Sequence, residues 1–304
     1  MSKYSYGWQP SPPDIRDVMY SAPANLASEV LLPPSVDLTR PAVQAPFEPV
    51  WNQGPLGSCG PTTASADIVY AALKQDNLPS VPMPSRLFIY YCTRTIMGTV
   101  GYDSGVTNRD LMKALARFGW CDESLWPYDI SKFTQKPPTE CFEQAAERRI
   151  EKYMAVPQDL TTMKACLAAR DPFIFGFSVY ESFESPSTKR TGVVPIPKLG
   201  ERRIGGHDVM VCGYDSETRR FKFRNSYDVT WGQNGYGWIP FDYATDPRLA
   251  GDFWTVRHAH LKPPQPAPAE NKTVDFLSSD FSEAGLRRVR ALFGDVSKVT
   301  VSLS

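Results

Sequence analysis

No stretch of this 304-residue chain reaches the roughly 18 consecutive apolar residues of a membrane-spanning helix. Its opening, Met1-Ser2-Lys3-Tyr4-Ser5-Tyr6-Gly7-Trp8-Gln9-Pro10, lacks the apolar core of a secretory signal. No signal peptide and no membrane contact are therefore expected. An excess of either charge is also missing: 33 basic residues face 33 acidic ones, which argues against a nucleic-acid binder driven by a basic surface. None of the six cysteines forms a CxxC pair, and no Cys/His cluster has zinc-ligand spacing, so neither a metal nor an organic cofactor is expected. Without a signal, a reducing cytoplasmic location is the expectation, with export by a non-signal route left open and most thiols acting as small buried hydrophobes. There are only three histidines, His207, His258 and His260, so imidazole chemistry has few candidates. What the chain has is 42% hydrophobic and 12% aromatic residues, enough for a sizeable core in one large domain or two modest ones.

The residues fall into two textures. Residues 1–46 are rich in proline and lack sustained periodicity, which reads as an extended arm with turns. Helical spacing follows over about 59–74, 85–94, 107–118, 139–150 and 159–169. Thr107 or Asn108 suits the N-cap of the third of these, and Gly119 its stop. From Pro172 onward the pattern becomes strand-like: 172–180, 209–214, 221–224, 235–240 and 253–258 are short apolar runs between turn signals. A helical half followed by a strand half predicts an α+β protein with a seam near residue 170, where a site can form. The run 262–269 reads as a stiff Pro-rich linker, and 282–293 as one amphipathic helix with a solvated arginine face.

Cys59 departs from the buried-thiol pattern that Cys92, Cys141, Cys166 and Cys212 fit. It lies among Gly57, Ser58, Gly60 and Pro61, in a turn that opens into a helix. A thiolate is the nucleophile, and both a helix N-terminus and a nearby imidazolium lower its pKa. His207, after Gly205-Gly206 at the mouth of a strand, supplies the imidazole. Asn225, at the end of the neighbouring strand, is placed to orient it, although strand-end asparagines also cap their own backbone. The Gln53 amide and the Cys59 N–H suit an oxyanion hole. His258 and His260 flank a strand end and are expected to be structural.

These blocks resemble the papain-like cysteine peptidases, across roughly residues 32–258 and in the style of bacterial members with a short proregion. Gln53, Gly54 and Gly57-Ser58-Cys59 match the family's glutamine-to-cysteine segment. His207 with Val209, Val211, Gly213 and Tyr214 matches its histidine strand. Asn225-Ser226-Tyr227 with Trp231-Gly232-Gln233-Asn234-Gly235-Tyr236 matches its asparagine motif, and Gly101-Tyr102-Asp103-Ser104-Gly105 its glycine-rich loop. The resemblance implies a two-domain α+β fold, with a helical left domain over about 50–170 and a β-barrel-like right domain over about 171–261. These sit within a catalytic domain at 32–261, after an arm at 1–31 and before a tail at 262–304. It also implies a Cys59–His207–Asn225 triad, an oxyanion hole of Gln53 and Cys59, substrate contacts from Ser104, Gly105, Gly206 and Tyr227, and shielding of the triad by Trp231.

The expected activity is hydrolysis of peptide or protein substrates through an acyl-enzyme, with the arm at 1–31 either an extended strap packed on the surface or a restraint lying across the cleft. A catalytically silent binding module and a Cys–His acyltransferase or amidase stand as alternatives. Four departures from the family pattern mark this chain. Gly60 follows the nucleophile in place of an aromatic residue, and Tyr227 replaces the indole beside the asparagine. Asp208 follows the histidine where a small residue is common, and Leu56 stands where a disulfide cysteine is usual.

Overall fold

The computed structural model of the chain describes residues 4–39, 49–75 and 81–261. The linker expected at 262–269 and the helix expected at 282–293 lie outside the described residues, as do the side chains of His258 and His260. In chain order the main elements are β1 (Trp8–Gln9), β2 (Ser35–Asp37), α1 (Cys59–Gln75), α2 (Arg86–Met97), β3 (Val106–Thr107), α3 (Asn108–Arg117), α4 (Thr139–Ala146), β4 (Arg148–Ala155), α5 (Leu160–Ala168), β5 (Phe173–Tyr180), β6 (Arg203–Asp215), β7 (Arg220–Arg224), β8 (Tyr236–Pro240) and β9 (Ala250–Leu261). The class is α+β, with helices gathered in the first half and strands in the second.

Local chemistry explains the helix ends. Pro61 occupies the first turn of α1, where a missing N–H leaves no hydrogen bond unmade. Ser85 caps α2 by accepting the Phe88 N–H, and Gly98 ends that helix in the left-handed region. Thr107 caps α3 through the Asp110 N–H, and Asp159 caps α5 through the Thr162 N–H. Helix α1 has apolar or small residues around its whole circumference, with Ala64, Ala66, Ile68, Ala71 and Ala72 all buried. A helix of that kind belongs in the interior, and α1 lies against β6 and β9.

The helix expected over 139–150 stops at Ala146, and 148–155 forms a strand instead. The cause is tertiary: β4 pairs antiparallel with β9 from Arg148↔Leu261 to Ala155↔Trp254, burying Ile150 and Met154 on one face. The main sheet runs β4-β9-β5-β6-β7-β8, with β2 added against the far end of β6. Among the described residues β4 and β8 do not pair, so the barrel-like half is an open, curved sheet rather than a closed barrel. Its core is aromatic; the Phe175 and Phe253 rings stack at 5.0 Å.

Residues 4–37 are bound to this frame along their length. Strand β1 pairs in parallel with β3, Trp8 opposite Val106. Ser11 donates to Asp252, Asp17 pairs with Arg109, Met19 bridges Ala155, and Glu29 reaches Lys164.

Ser85→Ala removes a buried cap that also donates to the Trp126 carbonyl at 2.6 Å. Urea unfolding of that variant is expected to show a loss of about 1–2 kcal/mol; an unchanged midpoint would contradict this reading of the α2 N-terminus.

Candidate active site

Two elements meet end to side. The turn 53–58 is drawn tight by a Ser58 N–H to Leu56 carbonyl bond, and it delivers Cys59 as the first residue of α1. Strand β6 brings His207 to the same place, with Phe177 of β5 as its register partner. The backbone N–H groups of Asp208, Gly7 and Gly60 face the Cys59 sulfur and favour its charged form. Because Asp208 directly follows His207, the thiol lies beside the histidine strand.

His207 is fully buried, and its Nε2 lies 2.8 Å from Asn225 Oδ1. That amide oxygen also accepts the Ser226 N–H, so it acts purely as an acceptor and Nε2 carries the proton. Nδ1 therefore holds the lone pair, and it has no hydrogen-bond partner among the described residues. The imidazole stacks on Tyr227 at 4.8 Å, with Phe177 edge-on and Phe183 tilted against it. Tyr4 of the arm covers the other face of Tyr227, at 3.7 Å and nearly parallel. Trp231 stands edge-on to Tyr227 and packs against Phe183 and Phe223.

Gln53 is held on both sides. Its Oε1 accepts from Ser226 Oγ at 2.6 Å, which fixes the amide orientation. Its Nε2 donates at 2.9 Å to the Leu56 carbonyl and at 2.9 Å to the carbonyl of Ser5 in the arm. The other residues singled out for substrate contact also meet the arm. The Ser104 carbonyl accepts from Gln9 Nε2. Gly105 has φ +70°, and a Cβ there would overlap the Gly7 carbonyl. A Cβ on Gly206 would come within 2.7 Å of the Trp8 ring, and one on Gly176 would overlap the indole itself. Tyr6 hydrogen-bonds Glu184 and stands edge-on to His207. Beside Tyr4 and Tyr227 a cavity of about 180 Å³ is bounded by Glu184, Lys189, Thr230 and Trp231.

The electrostatics differ from a lowered-pKa thiol. Burial pushes Cys59 up to about 12, and an ionised Asp208 carboxyl would add to that rise. Burial likewise takes His207 down to about 4, against the opposing bond from Asn225. With the arm in place the pair is thiol and neutral imidazole: the low-dielectric cover opposes charge on both partners more strongly than the α1 N-terminus favours it.

Some participants carried no motif in the sequence. Glu184, Gly176 and Asn108 lie outside the cysteine, histidine and asparagine blocks and meet the site only through tertiary packing. Trp8 and its neighbours stood out only as aromatic anchors in a proline-rich arm.

A model of the papain family cysteine proteases matches residues 32–246. The chain belongs to the papain family of cysteine proteases. An uncharacterised peptidase C1-like protein of Acanthamoeba polyphaga mimivirus is 35% identical over 271 residues, covering 83% of this chain and 86% of that one. Among solved structures, xylellain, a cysteine protease from Xylella fastidiosa, is 38% identical with a TM-score of 0.76, covering 84% of this chain and 96% of its own. Procathepsin B from Trypanosoma congolense has a TM-score of 0.65 over 84% of this chain and 85% of its own; at 17% identity it speaks for the fold alone. As a papain-family thiol protease the chain has the papain-like α+β fold and acts on peptide substrates. No helix among its described residues is long and apolar enough to cross a membrane.

The lowered His207 pKa sets a pH dependence of stability. In the unfolded chain the imidazole takes a proton near pH 6.5, and in the folded chain only near 4. Between those values the unfolded state binds more protons, so the His207 contribution is lost as pH falls, by about 3 kcal/mol in all. Asp67 and Asp208, both raised well above the usual carboxylate range by burial, act in the opposite direction. The His207 share is therefore the difference between the parent and His207→Gln in urea unfolding at pH 7 and pH 4.5, and parallel profiles would contradict it.

Proposed function

We propose that the chain is a peptidase acting through Cys59, His207 and Asn225, and that its arm at 1–31 restrains it by lying in the cleft. The observation that carries this reading is the course of the arm: Gly7 N–H meets the Cys59 sulfur while the Ser5 carbonyl accepts from Gln53 Nε2. A peptide backbone already lies over the nucleophile with a carbonyl on an oriented amide donor. Such an arrangement suits an oxyanion hole.

In the proposed reaction the Cys59 proton passes to His207 Nδ1, and the thiolate attacks the scissile carbonyl. Asn225 Oδ1 accepts from Nε2–H and keeps the imidazole in the tautomer that receives at Nδ1. The developing oxyanion takes hydrogen bonds from Gln53 Nε2 and the Cys59 N–H. His207 then gives its Nδ1 proton to the departing amine, leaving a Cys59 thioester. A water deprotonated by His207 releases the acid and restores the thiol. The Tyr227 ring, with Phe177, Phe183 and Trp231 around it, keeps bulk water from the imidazole–amide bond. Ser104, Gly105 and Gly206 would then meet substrate where they now meet Gln9, Gly7 and Trp8.

While the arm stays, the scissile bond has no access to Cys59. The Trp8 indole, seated where Gly176 and Gly206 leave room, is its main apolar anchor, and burial of an indole contributes several kcal/mol to docking.

The test is hydrolysis of a fluorogenic peptide panel under reducing conditions. Activity is expected from the full chain, with loss of at least about a thousandfold in Cys59→Ala. A parent chain and a Trp8→Ala chain both silent toward peptides, yet transferring acyl groups to an added amine, would replace hydrolysis by acyl transfer. Trp8→Ala, and removal of residues 1–31, are expected to raise kcat/KM and the rate of Cys59 alkylation about tenfold or more; no change in either rate would remove the restraint from the proposal.

A further inference from the structure

Asp208 lies fully buried at the seam and belongs to neither the cysteine–histidine–asparagine set nor the oxyanion donors. Its main chain is fastened to α1 by its carbonyl, which accepts from Thr63 Oγ1 at 3.3 Å, and its N–H faces the Cys59 sulfur. Its side chain reaches a third element. Oδ1 accepts from Asn108 Nδ2 at 2.8 Å, at the first residue of α3. Asn108 is itself set by β9: its N–H donates to Asp252 Oδ2 at 2.9 Å, and its Nδ2 also donates to the Asp252 carbonyl at 3.0 Å.

The position beside the nucleophile is shaped to match. A Cβ at Gly60 would lie 3.0 Å from Asp208 Oδ2, 2.7 Å from Val106 Cγ2 and 3.3 Å from Leu111 Cδ2. The space for a side chain after Cys59 is thus closed by Val106 together with the carboxyl that follows His207 and by Leu111. Opposite, on β5, Asp208 has Gly176 as its register partner.

We propose that Asp208 is a positioning residue for the Cys59–His207 pair, the point where the histidine strand is clamped to the first turns of both α1 and α3. The inference rests on the peptidase reading above. The clamp works with a neutral carboxyl. The groups facing it are Cys59 on α1, the Asp252 carboxylate on β9 and the adjacent His207 on β6; Asn108 and Gly176, from α3 and β5, carry no charge. The Asp252 side chain accepts from Ser11, Asn108 and Trp254. Burial, opposed by the Asn108 bond and assisted by Asp252, holds Asp208 protonated well above the usual range. In that state it adds no negative charge beside a forming thiolate; ionised, it would oppose one.

The experiment uses the full chain carrying Trp8→Ala, alone and combined with Asp208→Asn or Asp208→Ala. Peptide hydrolysis is followed at pH 6.5, and Cys59 alkylation by iodoacetamide is mapped by peptide mass spectrometry from pH 5 to 10. Asn is isosteric and still accepts from Asn108, so it is expected to hold kcat within about threefold, whereas Ala loses about tenfold or more in kcat with KM within about twofold. Ala is also expected to lose the low-pH shoulder of alkylation that marks a thiolate paired with imidazolium, while Asn keeps it and extends its plateau to higher pH than the parent. Should Asp208→Ala fail to fold, Asn108→Ala breaks the same tie from α3 and is read in the same way. An Ala variant as fast as the parent, an Asn variant as slow as Ala, or a parent without the low-pH shoulder overturns the proposal. If no chain hydrolyses peptide while the shoulder follows the expected order, the peptidase reading fails and the clamp stands.

Discussion

The close approach of the α1 N-terminus to the middle of β6 is the constraint on which the rest depends. A helix can meet a strand so closely only where the facing position is small, and here Gly60 supplies that on α1, its missing Cβ leaving room for Asp208 of β6, while Gly205 and Gly206 on β6 leave room for Tyr6 and Trp8 of the arm. The helix must then be apolar around its circumference, because β6 and β9 on one side and α2 and α3 on others leave it no solvated face. Once α1 is held there, the thiol at its first residue and the imidazole of β6 share one seam. The aromatic collar of Phe177, Phe183, Tyr227 and Trp231 closes around them.

That geometry carries an electrostatic cost. Covered by the arm, the thiol and the imidazole are both shifted toward their neutral forms, and two carboxyls, Asp67 and Asp208, are kept protonated. The low dielectric that sharpens hydrogen bonds to a developing charge also suppresses that charge while no substrate is there. An arm that leaves lets water and substrate reach the pair. On the proposed reading, cover and chemistry are alternative uses of one cleft. The aromatic and glycine contacts suit both, since a backbone laid across Gly57, Gly105 and Gly206 needs those positions to lack a Cβ.

Much of the arrangement was legible in the residues. The proline in the first turn of α1, Thr107 before α3 and the turn signal at 215–218 are local effects, and the helices and strands they bound formed close to where spacing placed them. The strand at 148–155 was not legible. Its residues carry helix-compatible spacing, and only β9, about a hundred residues away, supplies the hydrogen bonds that make it a strand. The cysteine, histidine and asparagine blocks announced themselves because a helix-start thiol in a glycine-rich turn is chemically unusual. Asn108 and Glu184 did not, because asparagine at a helix start and glutamate in a surface turn are ordinary.

By itself, then, the sequence determined the helix-then-strand division, the family, and the candidate residues at 53, 59, 207 and 225, since each follows from periodicity or from a motif a few residues wide. Only the tertiary structure decided that Ser5, Gly7 and Trp8 of the arm lie against Gln53, Gly105 and Gly206, that the sheet stays open among the described residues, that burial opposes charge on both the thiol and the imidazole, and that Asp208 joins three elements. Those outcomes depend on burial and on contacts between residues 50 to 200 positions apart, and no local pattern encodes the dielectric or the partner that such distances bring together.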